Sequence, residues 1–135
     1  MHIVICLDYS SYTKTYLEAI KGLLPGFKDC EVSVVHVVDE TLFASGSGYE
    51  IQLGEELKND NEQLKELAME YLGPNLDYIS DYGFPSQKIA EILNELNYDV
   101  LIIGRHSRSI LGLKLLGDVA AKLLHNSKKP VLVIP

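Results

Sequence analysis

The stretch from Gly104 to Asp118, GRHSRSILGLKLLGD, combines glycines and basic side chains directly after a strongly apolar run. Phosphates bind where backbone N–H groups at the start of a helix are exposed, since those groups and the helix dipole attract anions. Arg105, Arg108 and Lys114 add positive charge to this stretch. Asp118 opposes it, because a carboxylate about 4 Å from a phosphate charge costs roughly 1–4 kcal/mol. The pattern therefore predicts an anion site in which the Asp118 carboxylate weakens the binding of the anion.

Established phosphate motifs match this stretch only in part. Gly112 and Gly117 have the spacing of the two P-loop glycines, but Asp118 stands where that motif requires lysine. No G-x-G-x-x-G occurs in the chain, which disfavours a dinucleotide site of the NAD type. The interpretation we favour for Asp118 is a helix N-cap with Val119 as the first helical residue, which would compete with a phosphate for the same N–H groups. For the basic side chains, a solvated surface loop remains the alternative to an anion site.

Short apolar runs alternate along the chain with amphipathic segments. The runs predict strands buried on both faces of a parallel sheet, and they span 2–7, 32–38, 100–104 and 131–135, with a weaker strand at 76–81. The amphipathic segments predict helices at 11–24, 55–72, 86–96 and 119–127. Their order predicts one doubly wound α/β domain over residues 1–135. This pattern leaves the strand orders 2-1-3-4-5 and 3-2-1-4-5 both open.

Asp8 follows the first predicted strand, where doubly wound sheets bind their ligands. In the order 3-2-1-4-5, the first and fourth strands meet at the switch point, which brings the loop 7–11 beside the Gly104 stretch. The Asp8 carboxylate can accept hydrogen bonds from a ribose hydroxyl or an adenine amino group, or it can cap the first helix. Ser10 or Ser11 is the other candidate for that cap.

The acidic balance of the chain excludes several classes of partner. Its formal net charge of −7 repels nucleic acid and anionic lipid, so we expect neither nucleic acid nor a membrane as a partner. The first apolar run follows no basic segment and breaks at Asp8, unlike a signal peptide or a membrane span. Cys6 and Cys30 are interpreted as free thiols of a reducing cytosol, with Cys6 buried in the first strand and unreactive. We therefore expect a cytoplasmic protein.

Residues capable of catalysis or metal binding are scattered along the chain. His106, Ser107 and Asp8 have the side-chain types of a catalytic triad, but nothing in the sequence orients them. His36 lies in an apolar run and is interpreted as a core residue rather than a metal ligand. We expect no enzyme activity and no required metal, with weak ATP hydrolysis as a distant alternative.

The Gly104 stretch and several other segments resemble the universal stress protein family, over essentially the whole chain. The family motif G-x2-G-x9-G-[ST] follows the fourth strand, and Gly104 and Gly117 match its first and last glycines. Ser107 replaces the second glycine and Asp118 replaces the final Ser or Thr, while the nine-residue spacer is kept. The segments CLDYSS, VVHVVDE, GFPSQKI and KPVLVIP also resemble segments of the family.

This resemblance implies the strand order 3-2-1-4-5 and a site for ATP. In that site Asp8 contacts the nucleotide, Val37 touches the adenine, and the glycine motif wraps the phosphates and the ribose. The residues expected at the nucleotide or anion site are Asp8, Val37, Gly104, Arg105, Ser107, Arg108, Gly117 and Asp118.

Ser107 and Asp118 predict that this site is degenerate. We expect a stress-response binding and signalling module that binds ATP weakly or not at all, with ATP and AMP as the candidate ligands. One alternative is a true ATP-binding family member whose ligand is held by Asp8 and the Gly104–Asp118 loop. Another is a member that works without nucleotide, through dimerisation and unidentified protein partners.

The last predicted strand lies at the edge of the sheet in this topology and carries no charge. An apolar edge strand presents unpaired backbone groups and invites another chain to pair with it, and the family resemblance implies the same mode of pairing. We therefore expect a homodimer built on Val131, Leu132, Val133 and Ile134. The alternative is a monomer whose final strand is covered by the loop 40–54, which is predicted to be a lid or a disordered segment.

Overall fold

A computed structural model describes residues 1–39, 49–105 and 117–135, with the backbone alone described for 49–57. Strands and helices alternate along these residues. The strands are β1 (His2–Cys6), β2 (Glu31–Asp39), β3 (Asp77–Gly83), β4 (Val100–Gly104) and β5 (Val131–Ile134). The helices are α1 (Thr13–Leu23), α2 (Tyr49–Leu72), α3 (Pro85–Glu95) and α4 (Asp118–Asn126). A short 3₁₀ turn, Leu24–Gly26, follows α1.

The five strands form one parallel sheet in the order β3-β2-β1-β4-β5. This order confirms the doubly wound α/β prediction and selects 3-2-1-4-5 over 2-1-3-4-5. Central strand β1 pairs on both sides, so that Ile3 lies opposite Val32 in β2 and Val100 in β4. The pairing of β1 with β4 ends at Ile5 and Ile102. Beyond that pair the two strands lead to different helices, which opens a crevice at the carboxyl edge of the sheet.

Alternate side chains of the strands point into two separate cores, one on each face of the sheet. This explains why the strands are continuous apolar runs, since both of their faces are buried. One core packs against α1 and α2 and includes Ile3, Ile5, Leu17, Ile20, Val34, Leu64, Ala68 and Ile102. The other packs against α3 and α4 and includes Val4, Val35, Val37, Ile89, Leu93, Leu101, Ile103, Ala120 and Leu123.

The amino edge of the sheet is closed by its own polar groups. The Nδ1 of His2 lies 2.9 Å from the carbonyl oxygen of Asn97, so Nδ1 carries the proton and donates it. The other ring nitrogen, Nε2, lies 2.8 Å from the hydroxyl oxygen of Ser33, within hydrogen-bond distance. The backbone N–H of His2 donates to Asp99 Oδ2 at 2.8 Å. This network joins β1, β2 and the segment before β4 at the end of the sheet opposite the crevice.

Element boundaries differ from the sequence prediction mainly at helix starts. Helix α2 begins at Tyr49 rather than at residue 55. The prediction of a long loop was therefore wrong for residues 49–54. The Glu, Gln and Leu residues of this segment favour a helix and outweigh the single Gly54. The rest of that loop, 40–48, lies outside the described residues.

The predicted serine cap of α1 was also wrong. Tyr12 occupies the N-cap position and makes no side-chain cap hydrogen bond. Ser10 acts one turn earlier, where its Oγ accepts from the N–H of Tyr12 at 3.2 Å. In the described segments, no helix is long and apolar enough to cross a membrane.

Candidate functional site

A cleft of about 880 Å³ opens at the carboxyl edge of the sheet, over the crevice between β1 and β4. The carboxyl ends of β1, β2 and β4 and residues just after β1 and β4 line it, together with the first turns of α1, α3 and α4. Ligands of doubly wound sheets bind at this position because the chain turns in opposite directions from the two central strands and leaves space between them.

The loop that follows β1 is held by side chains that donate to its backbone. The hydroxyl of Thr13 donates to the carbonyl oxygen of Asp8 at 2.7 Å and accepts from the N–H of Ser10 at 2.8 Å. The N–H of Leu7 donates to the carbonyl oxygen of Val35 at 2.9 Å, which extends the contact between β1 and β2 by one step. These contacts hold the loop in which Asp8 lies. Asp8 is partly buried and lines the cleft.

Tyr16 lies in the gap where β1 and β4 separate. Its hydroxyl lies 3.1 Å from the carbonyl oxygens of both Cys6 and Ile102, so one proton is shared between the ends of the two strands. Its ring packs below Gly104, where an added Cβ would lie 3.5 Å from the ring. Burial, together with the nearby Cys6 and Asp8, raises the pKa of Tyr16 well above its ordinary value. The hydroxyl therefore remains a donor at physiological pH.

His36 is a buried residue of β2 whose ring reaches the same loop. Its Nδ1 lies 2.9 Å from the carbonyl oxygen of Leu7, and since a carbonyl only accepts, Nδ1 carries a proton. The interpretation of His36 as a core residue is confirmed, because it is only 9% exposed. It also lines the cleft.

One wall of the cleft is apolar. It is formed by residues of the core between the sheet and helices α3 and α4, namely Val37, Ile89, Ile103, Val119, Ala120 and Leu123. A wall of this kind can pack against a flat aromatic ring, while the few polar groups on the opposite side fix its orientation. Asp8 and His36 are polar groups of the same lining.

The N-terminus of α4 meets the cleft next to the end of β4. Gly117 is the N-cap residue, with an extended backbone at φ −65° and ψ 156°, and it makes no side-chain cap hydrogen bond. Asp118 is the first helical residue, so the predicted N-cap role of Asp118 was wrong. The cap position is one residue earlier because Gly117 accepts the first helical bond, from the N–H of Ala121 at 2.8 Å.

Backbone hydrogen bonds tie the two ends of the glycine stretch together. The N–H of Gly117 donates to the carbonyl oxygen of Arg105 at 2.9 Å, and the N–H of Arg105 donates to Ile134 at 2.8 Å. Arg105 and Asp118 are both exposed and both line the cleft. The stretch therefore starts and ends at the same rim, with a cation and an anion on it.

Carboxylates outnumber cations among the described residues that line the cleft. Asp8, Asp39, Asp60 and Asp118 contribute four carboxylates, against the single guanidinium of Arg105. Within the parts of the chain that the structure describes, no three acidic, histidine or cysteine side chains converge to hold a metal ion. The field of these lining residues thus opposes a highly charged anion.

The structure brings most of the sequence-predicted site residues to this cleft. Asp8, Val37, Gly104, Arg105 and Asp118 line it, and Gly117 lies next to it as the N-cap of α4. Ser107 and Arg108 lie outside the described residues. The alternative of Asp8 as the cap of α1 is wrong, because Tyr12 holds that position.

Sequence reasoning missed the three side chains that support the loop after β1. Thr13 and Tyr16 lie in the segment 11–24, which was predicted only as a helix, and His36 was interpreted only as a core residue. A polar residue inside an apolar run was the available signal for His36, since a buried polar group needs a hydrogen-bond partner. For Tyr16 no such signal exists, because a tyrosine on the buried face of a helix is ordinary.

Cys6 ends β1 at the floor of the cleft. It is partly rather than fully buried, which departs from the predicted burial, and both Cys6 and Cys30 are free thiols. Burial among apolar neighbours raises the pKa of Cys6 to about 12. The thiol is therefore protonated at neutral pH, as a poorly reactive cysteine is.

Comparisons with known proteins agree on one family. The model of the universal stress protein family matches residues 1–135. Universal stress protein MJ0577 of Methanocaldococcus jannaschii is 28% identical over 147 residues, which cover 94% of this chain and 90% of that protein. The solved structure of MJ0577 superposes with a TM-score of 0.84, covering 98% of this chain and 94% of the other.

Two more distant structures share the fold. A universal stress protein in complex with cAMP is 17% identical, with a TM-score of 0.69 and coverage of 100% of this chain and 97% of the other. A family protein from Arabidopsis thaliana with AMP bound is 16% identical, with a TM-score of 0.69 and coverage of 99% and 90%. The match of the family model over residues 1–135, together with the sheet order and these likenesses, shows that the chain belongs to the universal stress protein family.

Proposed function

We propose that this protein is a stress-response module that binds the adenosine part of a nucleotide in the cleft and disfavours a long phosphate chain. It binds adenosine or AMP in preference to ATP. The observation that carries this proposal is Asp118 at the first position of α4, at the helix N-terminus that meets the cleft. A helix N-terminus favours negative charge, and here the protein supplies that charge itself.

The adenosine half of the proposal rests on the shape and chemistry of the cleft. The apolar wall that includes Val37 and Ile103 suits the face of an adenine ring. Asp8, which also lines the cleft, can accept hydrogen bonds from a ribose hydroxyl or from the adenine amino group. The two relatives solved with cAMP and with AMP support this choice, since each of those ligands joins adenosine to a single phosphate.

The phosphate half rests on charge. A phosphate that enters beside α4 must approach the Asp118 carboxylate at the first helical position and the other carboxylates of the lining. At about 4 Å, each such repulsion costs roughly 1–4 kcal/mol for effective dielectric constants from about 80 down to about 20. Since ATP brings more negative charge to this rim than AMP does, its binding is weakened more.

We propose a binding role rather than a catalytic one. Two groups at the floor of the cleft have nucleophilic chemistry, the Cys6 thiol and the Tyr16 hydroxyl. Both have a raised pKa, at about 12 for Cys6, so both are protonated at neutral pH. Neither then provides the ionised nucleophile that covalent catalysis requires. The two free thiols also agree with a reducing cytoplasmic setting, which we infer for the protein.

Isothermal titration of the pure protein with adenosine, AMP and ATP tests this function. We expect AMP to bind at least about tenfold more tightly than ATP, which corresponds to about 1.4 kcal/mol of repulsion. Asp8→Asn should weaken all three ligands alike, since it alters the adenosine end that they share. A low-micromolar Kd for ATP, equal to or below that for AMP, would support the true ATP-binding alternative. Absence of heat with all three ligands would support the member that works without nucleotide.

A further inference from the structure

The geometry points to a set of positioning residues, Thr13, Tyr16 and His36, that hold the loop after β1 in the conformation that presents Asp8 to a nucleoside. This inference rests on the proposed adenosine site and assigns a supporting role to three residues of its lining. None of the three is proposed to react. Each acts through Asp8, by fixing the backbone that carries it.

Three consecutive carbonyl oxygens, from the last residue of β1 into the loop, each receive a hydrogen bond from a side chain. The Cys6 oxygen receives it from Tyr16 at 3.1 Å, the Leu7 oxygen from His36 at 2.9 Å, and the Asp8 oxygen from Thr13 at 2.7 Å. Backbone carbonyls beyond the end of a sheet usually find water or a helix instead. Here the donors come from two elements, α1 and β2, so the loop is fixed from both sides.

The donors are buried and limited in number, which indicates a dedicated arrangement. Thr13 is 3% exposed, while Tyr16 and His36 are each 9% exposed. Among the described residues, the buried polar side chains are Thr13, Ser33 and His36, and two of these three bond to this loop. Burying a polar side chain without a hydrogen-bond partner costs free energy of folding. The hydrogen bonds to the loop therefore also allow Thr13 and His36 to be buried.

This arrangement has a consequence for recognition. With the backbone held in this way, the Asp8 carboxylate is the anionic acceptor that the loop presents to a nucleoside donor. Fixing the loop before binding removes the entropic cost of ordering it with the ligand, which is how a preorganised site gains affinity. The ligand class is a nucleoside with a donor directed at Asp8, either a ribose hydroxyl or the exocyclic amine of adenine.

A double-mutant cycle tests whether these residues act through Asp8. Tyr16→Phe removes one hydroxyl and keeps the ring that packs below Gly104. We expect it to weaken adenosine binding by about tenfold, comparable to the loss of one net hydrogen bond at about 1.4 kcal/mol per tenfold. In the Asp8→Asn background the same change should have no further effect. Tyr78→Phe is the matched control and should leave adenosine binding unchanged, since it also removes a hydrogen-bonded hydroxyl, 2.7 Å from Asn61 Oδ1, but at a residue that does not line the cleft. Equal losses from Tyr16→Phe in both backgrounds would overturn the inference.

Ligand analogues separate the two donor chemistries. 2′,3′-Dideoxyadenosine lacks the 2′- and 3′-hydroxyls of the ribose, and purine riboside lacks the amine. The analogue that lacks the donor used by Asp8 should bind equally to the unmodified protein and to Tyr16→Phe, whereas the other should show the tenfold loss. If both analogues lose affinity equally, Tyr16 does not act through Asp8.

Amide hydrogen exchange gives a test that needs no ligand, so it can fail separately from the proposed function. Thr13→Val should speed exchange of the Leu7 and Ser10 amides, while Thr13→Ser, which keeps the hydroxyl, should restore the slow rates. The amides of Glu31 and Asp99, which bond at the amino edge of the sheet, serve as a folding control and should not change. If the unmodified protein binds no adenosine, the proposed adenosine site is refuted. Independently of that result, unchanged amide exchange in Thr13→Val would refute the positioning role.

Discussion

Replacing Asp118 by serine should strengthen the binding of phosphate groups at the end of the cleft next to α4. Asp118 is the first residue of α4 and lines the cleft. Serine restores the residue type of the family motif at this position, removes one negative charge and leaves the helix N-terminus able to attract an anion. The variant should therefore bind ATP more tightly than the unmodified protein does, with little change for adenosine.

The expected size follows from the exposure of the carboxylate. Two charges about 4 Å apart interact by roughly 4 kcal/mol at an effective dielectric constant of about 20 and by roughly 1 kcal/mol in bulk water. Asp118 is exposed, so the lower part of that range applies. At about 1.4 kcal/mol per tenfold change in Kd, the gain in ATP affinity is about tenfold.

The assay is isothermal titration with ATP and with adenosine, at matched ionic strength. Asp77→Asn is the control, because it removes the same charge at the start of β3, on the amino edge of the sheet. The length of that strand places it roughly 20 Å from the carboxyl edge, beyond the Debye length of about 8 Å at physiological salt. The reasoning is refuted if Asp118→Ser leaves the Kd of ATP unchanged, or if adenosine gains as much as ATP.

Three further predictions concern reactivity, assembly and the glycines. In a Cys30→Ser variant, thiol labelling of native Cys6 at neutral pH should be roughly tenfold or more slower than in the denatured chain, because burial raises its pKa to about 12 and the gain in intrinsic nucleophilicity offsets only part of the loss of thiolate; equal rates would contradict this. Val133→Lys should convert the predicted β5-edge homodimer into a species of about half the mass in sedimentation equilibrium, since a charge blunts an edge strand; an unmodified protein that sediments at 15.1 kDa would exclude the dimer. Gly104→Ala should leave the free energy of unfolding in urea nearly unchanged, because the new methyl group makes ordinary contacts. Gly73→Ala should lower that free energy by about 1–2 kcal/mol, because Gly73 has a φ of +96°; similar losses for both variants would contradict this difference between the two glycines.

The sheet could be predicted from the sequence because its strands are buried on both faces. The runs rich in Val and Ile at 32–38 and 100–104 place apolar side chains on both faces of a strand, and such strands are typical of a parallel sheet covered by helices. The strand order could not be read from this pattern, since both common orders bury the same faces. It followed from the resemblance carried by Gly104, Gly117 and the closing strand, and the structure confirms it.

The cleft was predicted less completely than the sheet. Asp8 and Gly104 could be placed at one edge because the carboxyl ends of parallel strands share that edge. The roles of Thr13 and Tyr16 could not be predicted, since they depend on which backbone oxygens lie within about 3 Å after folding. The cap of α4 was missed by one residue, because glycine and aspartate are both good N-cap residues and adjacent in the chain.

Chemical-shift mapping of AMP on the isotope-labelled protein tests the central claim most directly, since it locates the ligand as well as detecting it. We predict that the largest amide shifts fall on residues at the carboxyl edge of the sheet, at Asp8, Val37 and the first turn of α4 from Asp118. Amides at the amino edge, such as those of Asp77 and Asp99, should stay unchanged at saturation. Shifts concentrated at the amino edge, or saturable binding that leaves Asp8 and Val37 unmoved, would contradict an adenosine site in this cleft.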